Sequence, residues 1–534
     1  MTETELPVVE MHPYRWGDPA HPATLPDAVL DALRGFGVRE PSQPSVAPEQ
    51  VSLTPSRLPQ PATADLVAAL GGKYVSTDHA DRVGHTRGCS TPDLLRLRAG
   101  DAADAPDAVV FPGGHDDVLA VLAVCSRHRI AVVPYGGGTS VVGGLAPVRE
   151  GFPAVVAIDL RRLDRLVEID PESGTAVLEA GVRGPRAEKL LAGHGYTLGH
   201  FPQSYEGATL GGYAATRSSG QASAGYGRFD EMVVGLTVAT PRGALTLGAA
   251  PASAAGPDLR QLLLGSEGSF GVITSVTLRV RPRPAARVYE GWRFSGFEAG
   301  ATALRRLRQA GALATVLRLS DEAETAVNLA DPEAAMRDGP GGCLAIVGYE
   351  GAAPDVAARR DQGASLLAAA GGEPLGSEPG EAWRQGRFRG PYLRDPLLDA
   401  GALVETVETA TFWSNLHPLR RAVTEALTTS LTAQGTPPLV LCHISHVYPT
   451  GASLYFTVVS AQAADPVAQW RTAKEAAGTA IGQAGGTITH HHAIGTDHQA
   501  GFVREVGPLA VEALRAVKRT FDPEGILNPG VLVR

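Results

Sequence analysis

At 534 residues, 44% hydrophobic and with a formal net charge of −9, the chain is too long for one ordinary core, and its Ala, Val, Leu and Gly content suits a soluble enzyme of about three structural units. The acidic balance excludes a general nucleic-acid binder, because neutralising a duplex requires a basic footprint. Four scattered cysteines without CxxC or CxxxC spacing exclude a zinc knuckle or disulfide framework and predict a reducing, cytoplasmic home.

The N-terminus, MTETELPVVEMHPYRWGDP, begins acidic without an apolar signal core, and no run of about eighteen apolar residues follows anywhere. The Pro-rich EPSQPSVAPEQVSLTPSRLPQP reads as an extended arm between short helices, with little chemistry expected there. From residue 106 a strand (108–112), a helix (116–128) and a strand (130–134) make a β-α-β unit. Strands are predicted next at 154–160, 166–170 and 175–181, then a helix, a Gly/Ser/Thr-rich stretch (204–227) and two further strands. After RPRP at 281–284, long helical segments alternate with single strands such as LAIVGYE and GASLYFTVVS, and the last stretch is helical up to GILNPG. The expected fold class is α+β. Its predicted divisions are an N-terminal region (1–105), a first domain (106–285), a second (286–495) and a C-terminal segment (496–534) returning to the first.

Glycine-rich segments fall at strand boundaries. In PYGGGTS (134–140) three glycines permit positive φ and close backbone approach, so their N–H groups can converge on a pyrophosphate beside the Thr139 and Ser140 hydroxyls. No GxGxxG follows a strand, which argues against a Rossmann site. With PQSYEGATLGGYAATRSSG (202–220) and GSEGSFGVIT (265–274), the set resembles the FAD-binding domain of the vanillyl-alcohol oxidase and p-cresol methylhydroxylase flavoproteins. That resemblance implies FAD held by Pro134, Tyr135, Gly136, Gly137, Gly138, Thr139 and Ser140. It adds Gln203, Ser204, Thr209, Gly211, Gly212, Thr216, Arg217, Ser218 and Ser219, and completes the site with Glu267, Gly268, Ser269, Gly271, Val272 and Ile273. The first loop lacks the histidine that carries FAD covalently in many members, so non-covalent binding is expected.

The second domain carries RLSDEAET with Arg318, WRQGRFRGPYLRD with Arg384, Arg387, Arg389 and Arg394, HISHVYPTGASLYFT with His443, His446 and Tyr455, and THHHAIG. Arginines offer forked donors to carboxylate or phosphate. Arg384, Arg387 and Arg389 read first as a solvated helix face, whereas Arg394 follows Pro391-Tyr392 and does not. Tyr455 sits in a strand where packing is the simpler role, and His443 or His446 alone reads as a satisfied structural residue. Three consecutive histidines offer little to a strand core and can supply acid–base chemistry. In an extended segment His490 and His492 share one side and His491 points away, so the triplet is not expected to bind one metal, and no metal site is predicted.

In their order, these segments resemble the alkyldihydroxyacetonephosphate synthase family. The resemblance implies active-site roles for Arg318, Tyr455, His490, His491 and His492, and substrate binding by Arg394. It also implies exchange of an acyl group of acyl-dihydroxyacetone phosphate for a fatty alcohol through a flavin N5 adduct, in the service of ether-lipid synthesis. A small lipid or phosphate substrate, peripheral membrane contact and a homodimer are further expectations. Two departures are Gln203, where an acidic residue is common, and GTDHQAGF after the triplet, where a basic stretch is usual. The alternative is an FAD-dependent 2-hydroxyacid dehydrogenase or oxidase, but HISHVYPTGASLYF lacks the second histidine of its metal-ligating HxGDGNxH-like strand and THHHAIG lacks the downstream Glu. A non-catalytic flavin binder fits the density of Arg, Tyr and His least.

Overall fold

A computed structural model describes residues 12–17, 23–41, 45–146, 148–311, 314–328 and 341–533, so the acidic residues 1–11 and part of the Pro-rich arm lie outside it. Strands β1 (Val75–Ser76), β2 (Ala108–Val110), β3 (Ala131–Tyr135) and β4 (Val155–Asp159) form a sheet in the order β1-β2-β4-β3. Its last three strands are parallel, as a β-α-β crossover through the helix His115–His128 requires. The helix Gln60–Leu70 and β1 contribute to this layer from upstream of residue 106.

Next come β5 (Leu166–Asp170), β6 (Thr175–Glu179), β7 (Tyr196–Thr197), β8 (Val233–Thr240), β9 (Gly243–Leu247), β10 (Val272–Arg279) and β11 (Arg281–Pro282). Five of them pair antiparallel in the order β5-β6-β10-β8-β9, and β7 pairs with β11. The first and second sheets share one apolar core that also takes in Ile526, Leu527 and Val531 from the C-terminal segment. Leu527 bridges Val132 in the parallel sense, extending the first sheet by one pairing.

The remaining strands, β12 (Ala286–Phe294), β13 (Val316–Ser320), β14 (Cys343–Gly351), β15 (Glu373–Gly376), β16 (Ala402–Phe412), β17 (Leu439–Ile444) and β18 (Gly451–Ala461), make one antiparallel sheet in the order β15-β12-β14-β13-β17-β18-β16. Helices Phe297–Gln309, Ala353–Ala369, Leu416–Ala433 and Pro466–Gln483 cover one face, their Leu, Ala and Trp residues packing on Leu317, Leu319, Cys442, Ile444, Leu454 and Phe456. Because strand side chains alternate, the intervening residues occupy the opposite face. The helix Thr91–Arg98, opened by a Ser90–Asp93 capping box, ties the N-terminal region to this layer through Arg98 and Asp395, paired at 2.8 Å and both nearly inaccessible. No helix among the described residues is long and apolar enough to cross a membrane.

Candidate active site

The first glycine-rich loop leaves the end of β3 and meets the second at van der Waals distance. A Cβ on Gly137 would stand 1.8 Å from the carbonyl oxygen of Gly207, and one on Gly136 would stand 2.4 Å from Thr209 Oγ1, so only glycine permits this approach. Thr209 caps the helix Leu210–Thr216 by accepting from Gly212 N–H at 3.2 Å, while Gly211 N–H donates to the Ala180 carbonyl at 2.8 Å. Tyr135 is buried with its ring 4.2 Å from His85 and its hydroxyl donating to the Gly84 carbonyl. Gly138 lies against that hydroxyl.

The third segment closes the cradle. Gly268 sits against Pro134, Ser269 Oγ donates to the Val531 carbonyl at 3.1 Å, and Gly271, Val272 and Ile273 lead into β10. Asn528 Nδ2 donates to the carbonyls of Gly144 and Glu267 at 3.0 and 2.7 Å, leaving its buried Oδ1 without a protein donor. Converging glycine loops, the half-buried Thr139 and Ser140 hydroxyls and this orphaned acceptor fit a cofactor that joins a pyrophosphate to a polar ring.

Several expected cofactor residues are engaged elsewhere. Arg217, at φ 51°, ends its helix and binds Asp230 and the Leu264 carbonyl. Thr216 donates to the Gly212 carbonyl and Ser218 meets His200 Nε2. Ser204 closes a turn, and Gln203 Nε2 donates to the Arg387 carbonyl at 2.9 Å. The Glu267 carboxylate accepts from the N–H groups of Ile494 and Gly495 at 3.0 Å, and burial pushes its pKa up to about 7 against those two donors.

Across from the cradle, strand alternation and register build the chemical face. Glu408 pairs with Tyr455, Tyr455 with His443, and His443 with Ser320, two residues beyond Arg318. Directly opposed residues of an antiparallel pair share a face. Arg318, His443, Tyr455 and Glu408 therefore form one row across β13, β17, β18 and β16, opposite the helix-covered face. His443 stacks on Tyr455 at 5.0 Å. Arg318 Nη2 donates to Glu324 Oε1 at 2.9 Å and lies 3.1 Å from His443 Nδ1. Burial would raise the Glu324 carboxyl, but His443 and Arg318 bring its pKa down to about 2.

The histidine triplet is a bend and not a strand, which corrects the expected alternation. Its backbone wraps round Glu408, whose carboxylate accepts from the N–H groups of His490, His491 and His492 at 2.8 to 3.2 Å. His490 and His491 consequently turn toward each other, Nδ1 to Nδ1 at 3.0 Å. His491 lies 6.0 Å from the Tyr455 ring, and His492 stands edge-on to that ring at 5.6 Å. His490 Nε2 meets the Tyr448 hydroxyl at 2.6 Å. Burial and neighbouring imidazoles hold His490 and His446 well below the ordinary histidine range, and His492 is pushed down to about 3, chiefly by burial. Burial pushes Tyr455 up to about 12.

Arg394, in the helix Gly390–Asp399, donates through Nη1 to the Cys89 carbonyl at 2.7 Å, and its buried Nε–H has no protein acceptor. Arg387 corrects the expected solvated face: it is buried over the rings of Phe201, Trp383 and Phe388. Arg384 pairs with Glu381 at 2.8 Å, and Arg389 is exposed.

His446, read as structural, faces this site: its Nδ1 meets the hydroxyls of Ser219 and Ser223 at 3.0 and 2.7 Å. Sequence reasoning missed Glu408 and Tyr448; acidic residues inside the β-branched run ALVETVETATF were the available signal for the first. Tyr448 also lines a cavity of about 770 Å³ of mixed character, with Phe412 and Ile488 beside Thr411, Gln483, Arg504 and Glu505.

Residues 106–248 match the FAD binding domain family and residues 283–532 match the family of FAD linked oxidases, C-terminal domain. The chain is 33% identical to the alkyldihydroxyacetonephosphate synthase of Dictyostelium discoideum, covering 94% of this chain and 88% of that protein. A solved structure of alkyldihydroxyacetonephosphate synthase superposes with a TM-score of 0.84 at 30% identity, over 97% of this chain and 98% of that one. Substrate-bound p-cresol methylhydroxylase, 16% identical, matches with a TM-score of 0.66 over 90% of this chain and 98% of its own, a likeness of fold.

Proposed function

The chain belongs to the alkyldihydroxyacetonephosphate synthase family of FAD-binding enzymes, and from that membership we propose that it exchanges the acyl group of an acyl-dihydroxyacetone phosphate for a long-chain alcohol without net oxidation. The reading is carried by the meeting of Tyr455 with the histidine triplet and with the charge of Arg394, all distant in sequence, on a face joined to the second glycine-rich segment by Ser219 and His446, 3.0 Å apart. Residues 106–285 are assigned to the cofactor, 286–495 to the substrate, and 496–534 to closing the cradle.

FAD supplies a conjugated electron sink when bound. Its attachment is proposed to be non-covalent, since the first loop carries no histidine and His85, packed on Tyr135, has its nitrogens engaged by Asp159 and the Asp81 carbonyl. The unpartnered Nε–H of Arg394 is assigned to the substrate's phosphate or carboxylate, where a charge-assisted hydrogen bond replaces a buried unsatisfied donor. Tyr455, with its pKa near 12, stays a phenol at neutral pH and donates. The proton beside the substrate carbonyl passes to a ring nitrogen of the triplet flanking Tyr455. Arg318 acts through His443, which it holds against Tyr455.

The alkyl chain is assigned to the cavity that Tyr448 lines. Phe412 on its wall is 69% exposed, and Leu509, just past the break at Gly507 in the helical segment Gln499–Phe521, is 79% exposed, which supports peripheral membrane contact. A cytoplasmic homodimer completes the reading; four buried free cysteines are consistent with a reducing compartment.

The test is an anaerobic absorbance spectrum of the yellow protein. Palmitoyl-dihydroxyacetone phosphate is expected to bleach the oxidised flavin band, and a fatty alcohol to restore it without oxygen. Bleaching by D-lactate or D-2-hydroxyglutarate alone, reversed only by an electron acceptor, would replace this reading with the hydroxyacid dehydrogenase.

A further inference from the structure

His446, from the loop between β17 and β18, and His490 and His491 each offer a ring nitrogen, and the three nitrogens lie within 4.8 Å of one another. The rings pack against one another. His446 stacks on His490 at 4.9 Å, and His491 stands edge-on to His446 at 5.2 Å and to His490 at 5.3 Å. The 3.0 Å between His490 Nδ1 and His491 Nδ1 is close to the separation of roughly 3.3 Å for two nitrogens on a tetrahedral ion with bonds of about 2.0–2.1 Å.

The outward nitrogens already have partners. His490 Nε2 meets the Tyr448 hydroxyl, and His446 Nδ1 meets the hydroxyls of Ser219 and Ser223. That leaves His490 Nδ1 and His446 Nε2 for a shared ligand, and an outer hydrogen bond of this kind is what orients a metal-binding imidazole and sets its tautomer. Charge is also provided for. Glu408 Oε2 lies 3.4 Å from His491 Nδ1, on a side chain with no solvent exposure, so a dication here meets a buried carboxylate.

We propose that His446, His490 and His491 form a three-histidine site for a divalent transition ion that prefers imidazole, zinc first, with its fourth position open to the pocket. Three imidazoles suit zinc, nickel or copper(II) and not magnesium or calcium, which take oxygen ligands. His492 is outside the set: its ring stands against Tyr455. The inference rests on ligand geometry, and with the ion on His491 it leaves His492, edge-on to Tyr455, as the proton acceptor of the transferase reading.

The experiment is a calorimetric titration of chelator-treated holoenzyme with zinc chloride near neutral pH, with no substrate present. A single saturable equivalent is expected. His446→Ala, His490→Ala and His491→Ala should each weaken it by at least roughly a hundredfold, and Tyr448→Phe by about tenfold, the scale of lost ligands and lost outer-shell partners. His492→Ala should keep the wild-type affinity, and magnesium chloride should give no binding. Copper(II) paramagnetic resonance on the unaltered protein should show coupling to three imidazole nitrogens, which guards against a variant that misfolds. The inference is overturned by absence of saturable zinc binding, by binding that survives all three histidine replacements, or by a copper spectrum without three-nitrogen coupling. Neither result depends on the flavin-bleaching test, so the two readings fail separately.

Discussion

Glu408 holds the histidine triplet in place with one side chain, accepting from three consecutive backbone amides while facing three imidazoles. Burial alone would raise its pKa, but His491 and the two flanking histidines hold it well below the usual carboxylate range. A carboxyl depressed in the folded state stabilises above its unfolded pKa, and that contribution is lost as pH falls through the folded value. Glu408→Gln keeps the shape but removes the charge and places an amide donor among N–H donors. About 1–3 kcal/mol of stability should be lost, read from the denaturant midpoint. Turnover should fall roughly a hundredfold, and the acid limb of the kcat profile should move to lower pH as the imidazoles lose their anion. Bound flavin should remain. An unchanged pH profile would remove the orienting role and leave only a structural one.

Two kinds of element bring the parts together, strand ends that carry glycine loops and a sheet that aligns side chains in rows. Gly137 decides the first, since a methyl group there meets the Gly207 carbonyl oxygen at 1.8 Å and backbone cannot give way as a side chain can. Gly137→Ala should separate the two loops at an overpacking cost of about 1–3 kcal/mol, and flavin affinity should fall roughly 10- to 100-fold. Flavin released on gel filtration measures it, and full retention would show that the loops do not cooperate in binding. The sheet works differently. Phe456 points into the helix-packed core and Tyr455 to the other face because neighbours in a strand alternate. One residue of register slip would bury the tyrosine in the core and turn the phenylalanine toward the site.

At the scale of the whole molecule, Glu267 joins three regions: its carboxylate takes the Ile494 and Gly495 amides, and its carbonyl takes Asn528 from the C-terminal segment. Its folded pKa of about 7 stands above the ordinary value of 4.5. Folding therefore favours the protonated form, whose stabilisation is complete below the unfolded pKa and lost as pH rises through about 7. Raising the pH from 5 to 8 should cost the holoenzyme up to about 3 kcal/mol at this junction, and Glu267→Gln should flatten that part of the stability profile. Parallel wild-type and variant curves would refute it. Much of this protein is written locally. A strand followed by PYGGGTS is free to turn at Gly138, whose φ of 71° favours glycine, and the alternation of GASLYFTVV already separates Tyr455 from Phe456. The motif order likewise carried the family and its cofactor. Three things were not legible: the turn of the triplet round Glu408, the facing of His446 toward Ser219, and the burial of Arg387 over three rings. Each brings in a segment far away in the chain, and the turn round Glu408 depends on β16 standing at the sheet edge beside β18. The sequence by itself determined the strand alternation and the glycine turns, since steric limits act on each residue and its chain neighbours. Only the tertiary structure decided which carboxylate meets which histidine, since that follows from long-range packing of sheet against sheet.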